Sequence, residues 1–331
     1  MYVGWTHFLL FVSFNRGVCS VISYKLNDGN EIPAVALGTS LGHLADGTRV
    51  LPVNHSLARA VQWALEAGYR HVDTATLYKV EDEVGLGVHN FLANNTADRT
   101  SLYITTKLWN DGHERSEVPI ALRSSLAELK LDYIDLYLMH YPMAYKKDGS
   151  IRLTDYLTTW KGMEDVKELN SSKSIGVSNF NLTQMQILWD NSRIKPAVLQ
   201  IEVNPAITQD ELVNWCRDHA ILGRKQNAPP PRADDPVLQN LAQKYNKTVP
   251  QILLRYLLDR ALVAIPRSTN KDRIQQNIDI FDFTLSVDEV ELYQNLTRTT
   301  AKWYPHLHFS FEKKNLTDAE IQYIIEHSKE D

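Results

Sequence analysis

The sequence predicts an α/β protein of the TIM-type (β/α)8 barrel class, and its rhythm and composition support this prediction. Short apolar or β-branched runs alternate with longer amphipathic stretches through most of the 331 residues, as repeated strand–helix units around a parallel sheet require. With 44% hydrophobic residues and a formal net charge of -5, the chain can bury one large core and lacks the basic character of nucleic-acid-binding proteins. We therefore expect a single barrel domain with no nucleic-acid partner.

The barrel strands are predicted from the apolar runs. A hairpin is expected first, in which two short strands flank Asn27, Asp28 and Gly29, and Gly29 takes the positive φ of a tight turn. We expect this hairpin to close the floor of the barrel. The seven strand candidates that follow are residues 35–37, 70–73, 102–107, 135–140, 174–177, 198–202 and 263–266.

Helix starts are indicated by capping residues. Ser56 is predicted to cap the first helix of the barrel. Thr208 with Glu211, and Ser286 with Glu289, have the spacing of capping boxes and predict two further helix starts.

Polar residues end three of the predicted strands. Asp73, Lys107 and His140 each close an apolar run, and Tyr78 follows the first of these runs. Barrel strands present functional groups at their carboxyl ends, so we expect these four side chains on one rim. A carboxylate, an amine, an imidazole and a phenol together indicate proton transfer. Taken singly, Asp73 and Lys107 also suit a buried ion pair, Tyr78 a surface position and His140 the core.

Three motifs resemble the signatures of the aldo-keto reductase family. They are Gly-Tyr-Arg-His-Val-Asp-Thr-Ala at residues 68–75, Leu-Asp-Tyr-Ile-Asp-Leu-Tyr-Leu-Met-His at 131–140 and Ile-Gly-Val-Ser-Asn-Phe at 175–180. The resemblance spans residues 24–295 and implies a monomer that reduces an aldehyde or ketone to the alcohol with NADPH. The stretches 26–30 and 228–232 are similar to insect members, some of which reduce ecdysteroid ketones.

The chemistry of the four polar residues and the resemblance assign the same roles. Tyr78 is the general acid that gives a proton to the carbonyl oxygen as hydride arrives at carbon. The ammonium of Lys107 lowers the pKa of the phenol, and Asp73 keeps that ammonium charged and aimed. His140 donates a hydrogen bond to the carbonyl oxygen and orients the substrate.

The substrate pocket is expected to have apolar walls. Leu77, Trp109 and Tyr141 are predicted to form them, and Ser40 stands where many relatives have a tryptophan. The smaller residue leaves a roomier site, so a steroid ketone such as a 3-dehydroecdysteroid is a candidate substrate. Aldehydes, small ketones and sugars fit the same chemistry. No metal site is predicted.

The cofactor residues are implied by the resemblance. Ser178, Asn179 and Gln200 match positions that hydrogen-bond the nicotinamide carboxamide, and two guanidiniums near a helix start favour NADPH over NADH because they suit a 2′-phosphate. Arg267 stands where the family usually has lysine. The complete set is Thr39, Ser178, Asn179, Gln200, Arg267, Ser268, Thr269, Arg273, Gln276 and Asn277.

One departure from the family pattern follows His219. The pattern would continue with a seventh strand and a Tyr-Ser-Pro loop, whereas residues 220–224 run directly towards the prolines at 229–231. Roughly fifteen residues are missing, including a whole strand, so the barrel is predicted to be incomplete at strand 7. The residues 220–222 allow only a stunted strand, which would expose edges on the neighbouring strands.

Two functional hypotheses follow. The first is an NADPH-dependent carbonyl reductase, and the sequence favours it because every acid–base residue is retained. The alternative is a catalytically impaired barrel that acts as a binding protein or arises as an unstable product of splicing or of a mistaken gene model.

The N-terminus carries a compartment signal. Apolar residues 5–14, then Arg16 and small residues at 18–20, predict a signal peptide over residues 1–20, with residues 21–331 as one domain whose C-terminal tail covers the pocket mouth. His7 and the absence of a preceding cation oppose this interpretation. Seven Asn-x-Ser/Thr triplets favour a secreted glycoprotein without a membrane anchor, and the alternative is a cytoplasmic chain in which they are turn and cap residues. They lie at Asn54, Asn94, Asn170, Asn181, Asn246, Asn295 and Asn315.

Overall fold

A parallel sheet of seven strands, curled towards a barrel, lies at the centre of the molecule. The computed structural model describes residues 22–44, 46–204, 207–226 and 235–297. The predicted signal peptide and most of the C-terminal tail therefore lie outside the described residues. Among the helices of the described part, none has the length and apolar character that are needed to cross a membrane.

The strands follow the predicted order and add one unexpected hairpin. Strands β1 and β2 form the predicted N-terminal hairpin, and β7 and β8 form a second, unpredicted one. The other seven strands pair in chain order as parallel neighbours. The bounds are β1 Ser23–Lys25, β2 Glu31–Pro33, β3 Ala36–Gly38, β4 His71–Asp73, β5 Tyr103–Leu108, β6 Ile134–Met139, β7 Ala144–Tyr145, β8 Ile151–Arg152, β9 Ser172–Ser178, β10 Val198–Glu202 and β11 Leu222–Gln226.

Helices connect the parallel strands and cover the outside of the sheet. The bounds are α1 Ser56–Glu66, α2 Glu81–Asn94, α3 Val118–Leu129, α4 Tyr156–Glu168, α5 Leu182–Asn191, α6 Asp210–Asp218, α7 Pro236–Tyr245, α8 Val249–Asp259, α9 Lys271–Ile278 and α10 Val287–Thr297. The alternation of strands and helices confirms the predicted α/β barrel class.

The capping predictions were correct in one case and wrong in two. Ser286 and Glu289 exchange two hydrogen bonds between backbone N–H and side chain, which confirms this capping box. Helix α6 begins after Gln209 in the left-handed region, and the Thr208 hydroxyl donates to the Asp210 carboxylate instead of capping the helix. Ser56 lies inside α1, because His55 occupies the capping position.

Alternate residues along the strands separate an inner from an outer core. On β6, Leu136 and Leu138 belong to the inner cluster, whereas Tyr137 and Met139 pack with the helices. This alternation follows from the two-residue period of a strand. The hairpin contributes buried residues such as Ile32 to the inner cluster, as expected for an element that closes the barrel floor.

The seventh and eighth strand positions are where the barrel departs from regularity. The predicted loss of a whole seventh strand was wrong, because β11 pairs with all five residues of β10, from Val198 with Leu222 to Glu202 with Gln226. Backbone groups supply these hydrogen bonds, so the pairing does not depend on a strand-like sequence pattern in residues 222–226. The predicted strand at 263–266 is reduced to isolated parallel bridges, Val35 with Ala264 and Gly38 with Arg267.

The barrel is therefore incomplete, as the sequence predicts, and the irregularity lies beside β11. Within the described residues, one backbone hydrogen bond, from Val263 N–H to the Gly223 carbonyl at 3.2 Å, links the seventh and eighth strand positions. Gly223 permits this approach, since a Cβ at this residue would lie 2.6 Å from a Leu262 methyl group.

Candidate active site

The carboxyl ends of β4, β5 and β6 bring the four predicted catalytic residues together. Asp73 is the last residue of β4, Lys107 is the next to last of β5, and His140 directly follows β6. Tyr78 ends a single turn of 3₁₀ helix, Thr76–Tyr78, after β4. All four side chains are buried, which keeps their interactions away from water.

Lys107 is the centre of this group. Its Nζ donates hydrogen bonds to Asp73 Oδ1 at 2.7 Å, to the Thr74 carbonyl at 2.8 Å and to Tyr78 Oη at 3.2 Å. The Lys107 side chain is 0% exposed, so its charge depends on the Asp73 carboxylate for compensation. The ammonium is thus held within hydrogen-bonding distance of the phenol.

His140 lies beside Tyr78 in an aromatic cluster. Its ring centroid is 5.7 Å from that of Tyr78 and 5.6 Å from that of Trp109, and the ring stacks on Tyr141 at 5.0 Å. Burial, followed by the charges of Lys107 and Arg49, holds the pKa of His140 well below 6.5. The imidazole is therefore neutral at neutral pH and can donate an N–H without carrying charge.

Aromatic side chains form a wall next to these residues. Trp109 contacts Tyr141 edge to face at 6.1 Å and Tyr145 at 6.5 Å between ring centroids. Burial raises the pKa of both tyrosines to about 12, so they are uncharged. The predicted wall residue Leu77 is half-buried and packs against the core. Tyr145 was missed because it lies in β7, whose two-residue strand leaves no readable pattern.

The predicted nicotinamide residues gather at the ends of β9 and β10. Ser178 Oγ donates to the Gln200 carbonyl at 2.8 Å, and Asn179 Nδ2 donates to the His140 carbonyl at 2.9 Å. Gln200 Oε1 is buried and has no hydrogen-bond partner among the described residues. A buried acceptor without a partner suits the N–H of a carboxamide. Thr39 is buried at the end of β3 and donates to the Asp73 carbonyl at 3.0 Å.

The predicted phosphate residues lie at the start of α9. Asn270 caps the helix by accepting the Arg273 N–H at 3.0 Å, which leaves an anion-favouring helix end near exposed Arg267. Arg267 Nη1 donates to the Ser40 carbonyl at 3.4 Å. The remaining members, at least partly exposed, are Ser268, Thr269, Gln276 and Asn277. The donor set fits a dianionic phosphate.

Two charged residues near the site were missed by sequence reasoning. Glu81 is buried, accepts hydrogen bonds from Thr106 at 2.5 Å and Ser125 at 3.2 Å, and has a pKa that burial raises. Arg49 places its Cζ 5.9 Å from the Tyr78 ring centroid. Arg49 lies in the loop that follows a barrel strand, and this position is the sequence signal that could have identified it.

Buried neutral histidines make stability depend on pH. Burial, with a smaller contribution from Arg152, lowers the pKa of His113 to about 3, and the pKa of His140 is also depressed. In the unfolded chain both bind protons near pH 6.5, so below that pH the unfolded state binds more protons and stability falls. We expect a loss of about 2 kcal/mol from His113 at about pH 5, measured by urea unfolding, and a further loss in the same direction from His140.

His113→Gln separates this effect from general acid sensitivity. The variant should lose about 2 kcal/mol less than the wild type between neutral pH and about pH 5, whatever its stability at neutral pH. Equal pH dependence of the two proteins would show that His113 does not stay neutral in the fold.

Such a barrel, in which a buried phenol accepts a hydrogen bond from an ammonium beside a neutral imidazole, is typical of the class of α/β-barrel oxidoreductases. The comparisons give the family. The family model described as Aldo/keto reductase family matches residues 36–222 and 224–298, and the chain belongs to this family of oxidoreductases.

Relatives with similar sequences and structures match most of the chain. Aldo-keto reductase AKR2E4 of Bombyx mori is 52% identical over 278 residues, which cover 80% of this chain and 89% of the relative. Its crystal structure in complex with NADP superposes with a TM-score of 0.79 at 50% identity and covers 83% of this chain and 92% of that one. The silkworm AKR2E5 complexed with NADPH has a TM-score of 0.81 at 36% identity, covering 90% and 95%.

Proposed function

We propose that this protein reduces an aldehyde or ketone to the alcohol with NADPH. The observation that carries the proposal is the 3.2 Å hydrogen bond from buried Lys107 Nζ to Tyr78 Oη, beside the neutral ring of His140. A phenol that is held next to an ammonium and lies beside aromatic side chains suits proton transfer to a carbonyl oxygen. Family membership and the NADP- and NADPH-bound relatives support the same reaction.

The proton is supplied by Tyr78. As negative charge grows on the carbonyl oxygen, the phenol Oη–H bond breaks and its proton moves to that oxygen. The ammonium of Lys107 stabilises the phenolate that remains, and Asp73 keeps the ammonium oriented at 2.7 Å. His140 donates its N–H to the same carbonyl oxygen and aligns it with Tyr78, while Trp109 excludes water.

The cofactor residues fit NADPH. When bound, the reduced nicotinamide supplies the hydride. Gln200 Oε1 and the Ser178 and Asn179 side chains would hold its carboxamide, and Arg267 and Arg273 would hold the 2′-phosphate. The guanidinium of Arg267 can donate two parallel hydrogen bonds to one phosphate. The ammonium of the lysine that is usual in the family cannot form this bidentate pair, so Arg267 suits a phosphate well.

The substrate proposed is a bulky carbonyl compound. Ser40 is half-buried and stands where many relatives have a tryptophan, a side chain that would fill more of the pocket. A steroid ketone such as a 3-dehydroecdysteroid suits a pocket that is enlarged there and bordered by Trp109 and Tyr141.

The alternative is a barrel that binds ligands without turnover. It is favoured by the short stretch after α6, from which the loop that the family pattern places over the cofactor is missing. The shortened connection removes residues that the family pattern places on the pyrophosphate.

The deciding experiment measures turnover and binding on the purified full chain. We expect NADPH to quench tryptophan fluorescence saturably and to be oxidised when benzaldehyde or a 3-ketosteroid is added. Saturable quenching without oxidation of NADPH by any of a panel of aldehydes and ketones would establish the binding protein instead. Absence of both signals would remove both hypotheses.

We also propose secretion, which depends on the sequence of residues 1–20 and on the seven triplets. Four of these asparagines have backbone roles. Asn54, Asn170 and Asn246 adopt positive φ, and Asn181 caps α5. These roles suit the turn-and-cap interpretation, so a glycosidase-induced mass shift of the secreted chain is the measurement that supports secretion.

A further inference from the structure

A positively charged side chain reaches the catalytic pocket from the loop between β3 and α1. Arg49 Cζ lies 5.9 Å from the centroid of the Tyr78 ring. The charge of Arg49 also acts on His140, whose pKa it helps to lower. Arg49 is half-buried, and although this burial lowers the pKa of its guanidinium, an arginine remains protonated at neutral pH. The pocket therefore contains a cation besides Lys107.

The backbone of the loop fixes the position of Arg49. Residues 43 and 49 form an antiparallel bridge, and Val50 N–H donates to the Gly42 carbonyl at 3.0 Å. Within this small hairpin, Leu44 N–H donates to the Thr48 carbonyl at 2.8 Å. Arg49 thus extends from a hydrogen-bonded element and not from an open loop.

Arg49 has no acidic partner in the described part of the chain. Two other partly buried arginines pair with carboxylates: Arg99 with Asp135 at 2.7 Å and Arg260 with Asp210 at 2.8 Å. Among the described residues around Arg49, the phenols of Tyr78 and Tyr141 are the groups that favour its charge. A partly desolvated guanidinium without a counter-charge, next to a reacting group, is a ready site for a carboxylate.

We propose that Arg49 binds the acidic group of substrates that carry a carboxylate as well as the reducible carbonyl. The proposal rests on the proposed reductase function and adds oxo and formyl carboxylic acids to the carbonyl compounds that the pocket accepts. The carbonyl oxygen occupies the corner formed by Tyr78 and His140, and the carboxylate accepts two hydrogen bonds from the Arg49 fork. Arg49 is a specificity residue, because it touches the substrate away from the reacting bond.

The test compares matched substrates with and without the charge. We expect 4-carboxybenzaldehyde to have a lower KM than methyl 4-formylbenzoate with the wild-type protein. In Arg49→Gln, the KM of the acid should rise about 10- to 100-fold while kcat/KM of the ester changes less than about 3-fold. Arg49→Lys should recover part of the loss. The control Arg123→Gln removes the same charge from the exposed face of α3, and it should leave the KM and kcat/KM of both substrates unchanged.

Equal losses for the acid and the ester in Arg49→Gln would overturn the proposal, as would an unchanged KM of the acid. Binding gives a readout that does not need turnover: calorimetric titration of 4-carboxybenzaldehyde into the protein with oxidised cofactor. Suppose that 4-carboxybenzaldehyde binds Arg49→Gln more weakly than the wild type, and that the wild type reduces neither aldehyde. This outcome would support the carboxylate subsite and reject the reductase function. Equal binding to both proteins would reject the subsite.

Discussion

Tyr78→Phe is expected to lower kcat for carbonyl reduction about 10²- to 10⁴-fold, the contribution typical of a positioned general acid. The substitution removes only the hydroxyl that accepts the hydrogen bond from Lys107 Nζ. The ring and its edge contact with His140 are kept, so the pocket should retain its shape. NADPH affinity, followed by fluorescence quenching, should change little because no proposed cofactor contact involves Tyr78.

Tyr137→Phe is the matched control for this experiment. Tyr137 is fully buried on β6, packs with the outer core, and has no hydrogen-bond partner for its hydroxyl in the described residues. The Tyr137→Phe variant loses the same hydroxyl oxygen from a similarly buried ring, and the turnover of this variant should stay within about 2-fold of the wild type. Normal turnover by Tyr78→Phe would exclude Tyr78 as the proton donor.

Lys107→Met is expected to abolish turnover and to lower the free energy of unfolding by about 3–5 kcal/mol. The substitution leaves the Asp73 carboxylate buried without its cation, and it leaves the Thr74 carbonyl without a donor that now lies 2.8 Å away. Chemical denaturation at neutral pH measures the stability, and NADPH oxidation measures the activity.

The double variant Asp73→Asn with Lys107→Met separates the two losses. It removes both charges together, so much of the stability should return, since no uncompensated carboxylate remains in the interior. Activity should not return, because the phenol still lacks its ammonium. Recovery of turnover in the double variant would show that Lys107 serves the fold alone.

The sequence was sufficient for the parts of the site that follow directly from strand ends. Asp73, Lys107 and His140 each terminate a short apolar run, and parallel strands place their carboxyl ends on one rim. The two-residue period of strands and the adjacent turns are local signals. The barrel class and the grouping of these residues could therefore be predicted without coordinates.

Features that depend on distant pairing could not be predicted in this way. Strand β11 exists because β10 offers an unpaired edge, and nothing in the local run Leu-Gly-Arg-Lys-Gln marks it as a strand. Tyr145 reaches the pocket through the β7–β8 hairpin, and Arg49 does so through a folded loop. In each case the partner lies elsewhere in the chain, so local patterns contain too little information.

The origin of β11 has a consequence for how this architecture tolerates change over evolutionary time. Pairing along β10 asks only for main-chain amides and carbonyls, and whichever residues emerge from α6 can satisfy it. A chain that is shortened after α6 can therefore keep a strand beside β10, and the wall of the barrel persists. Evolution can therefore shorten the chain after α6, and so lower the affinity for a ligand, before the barrel architecture is lost.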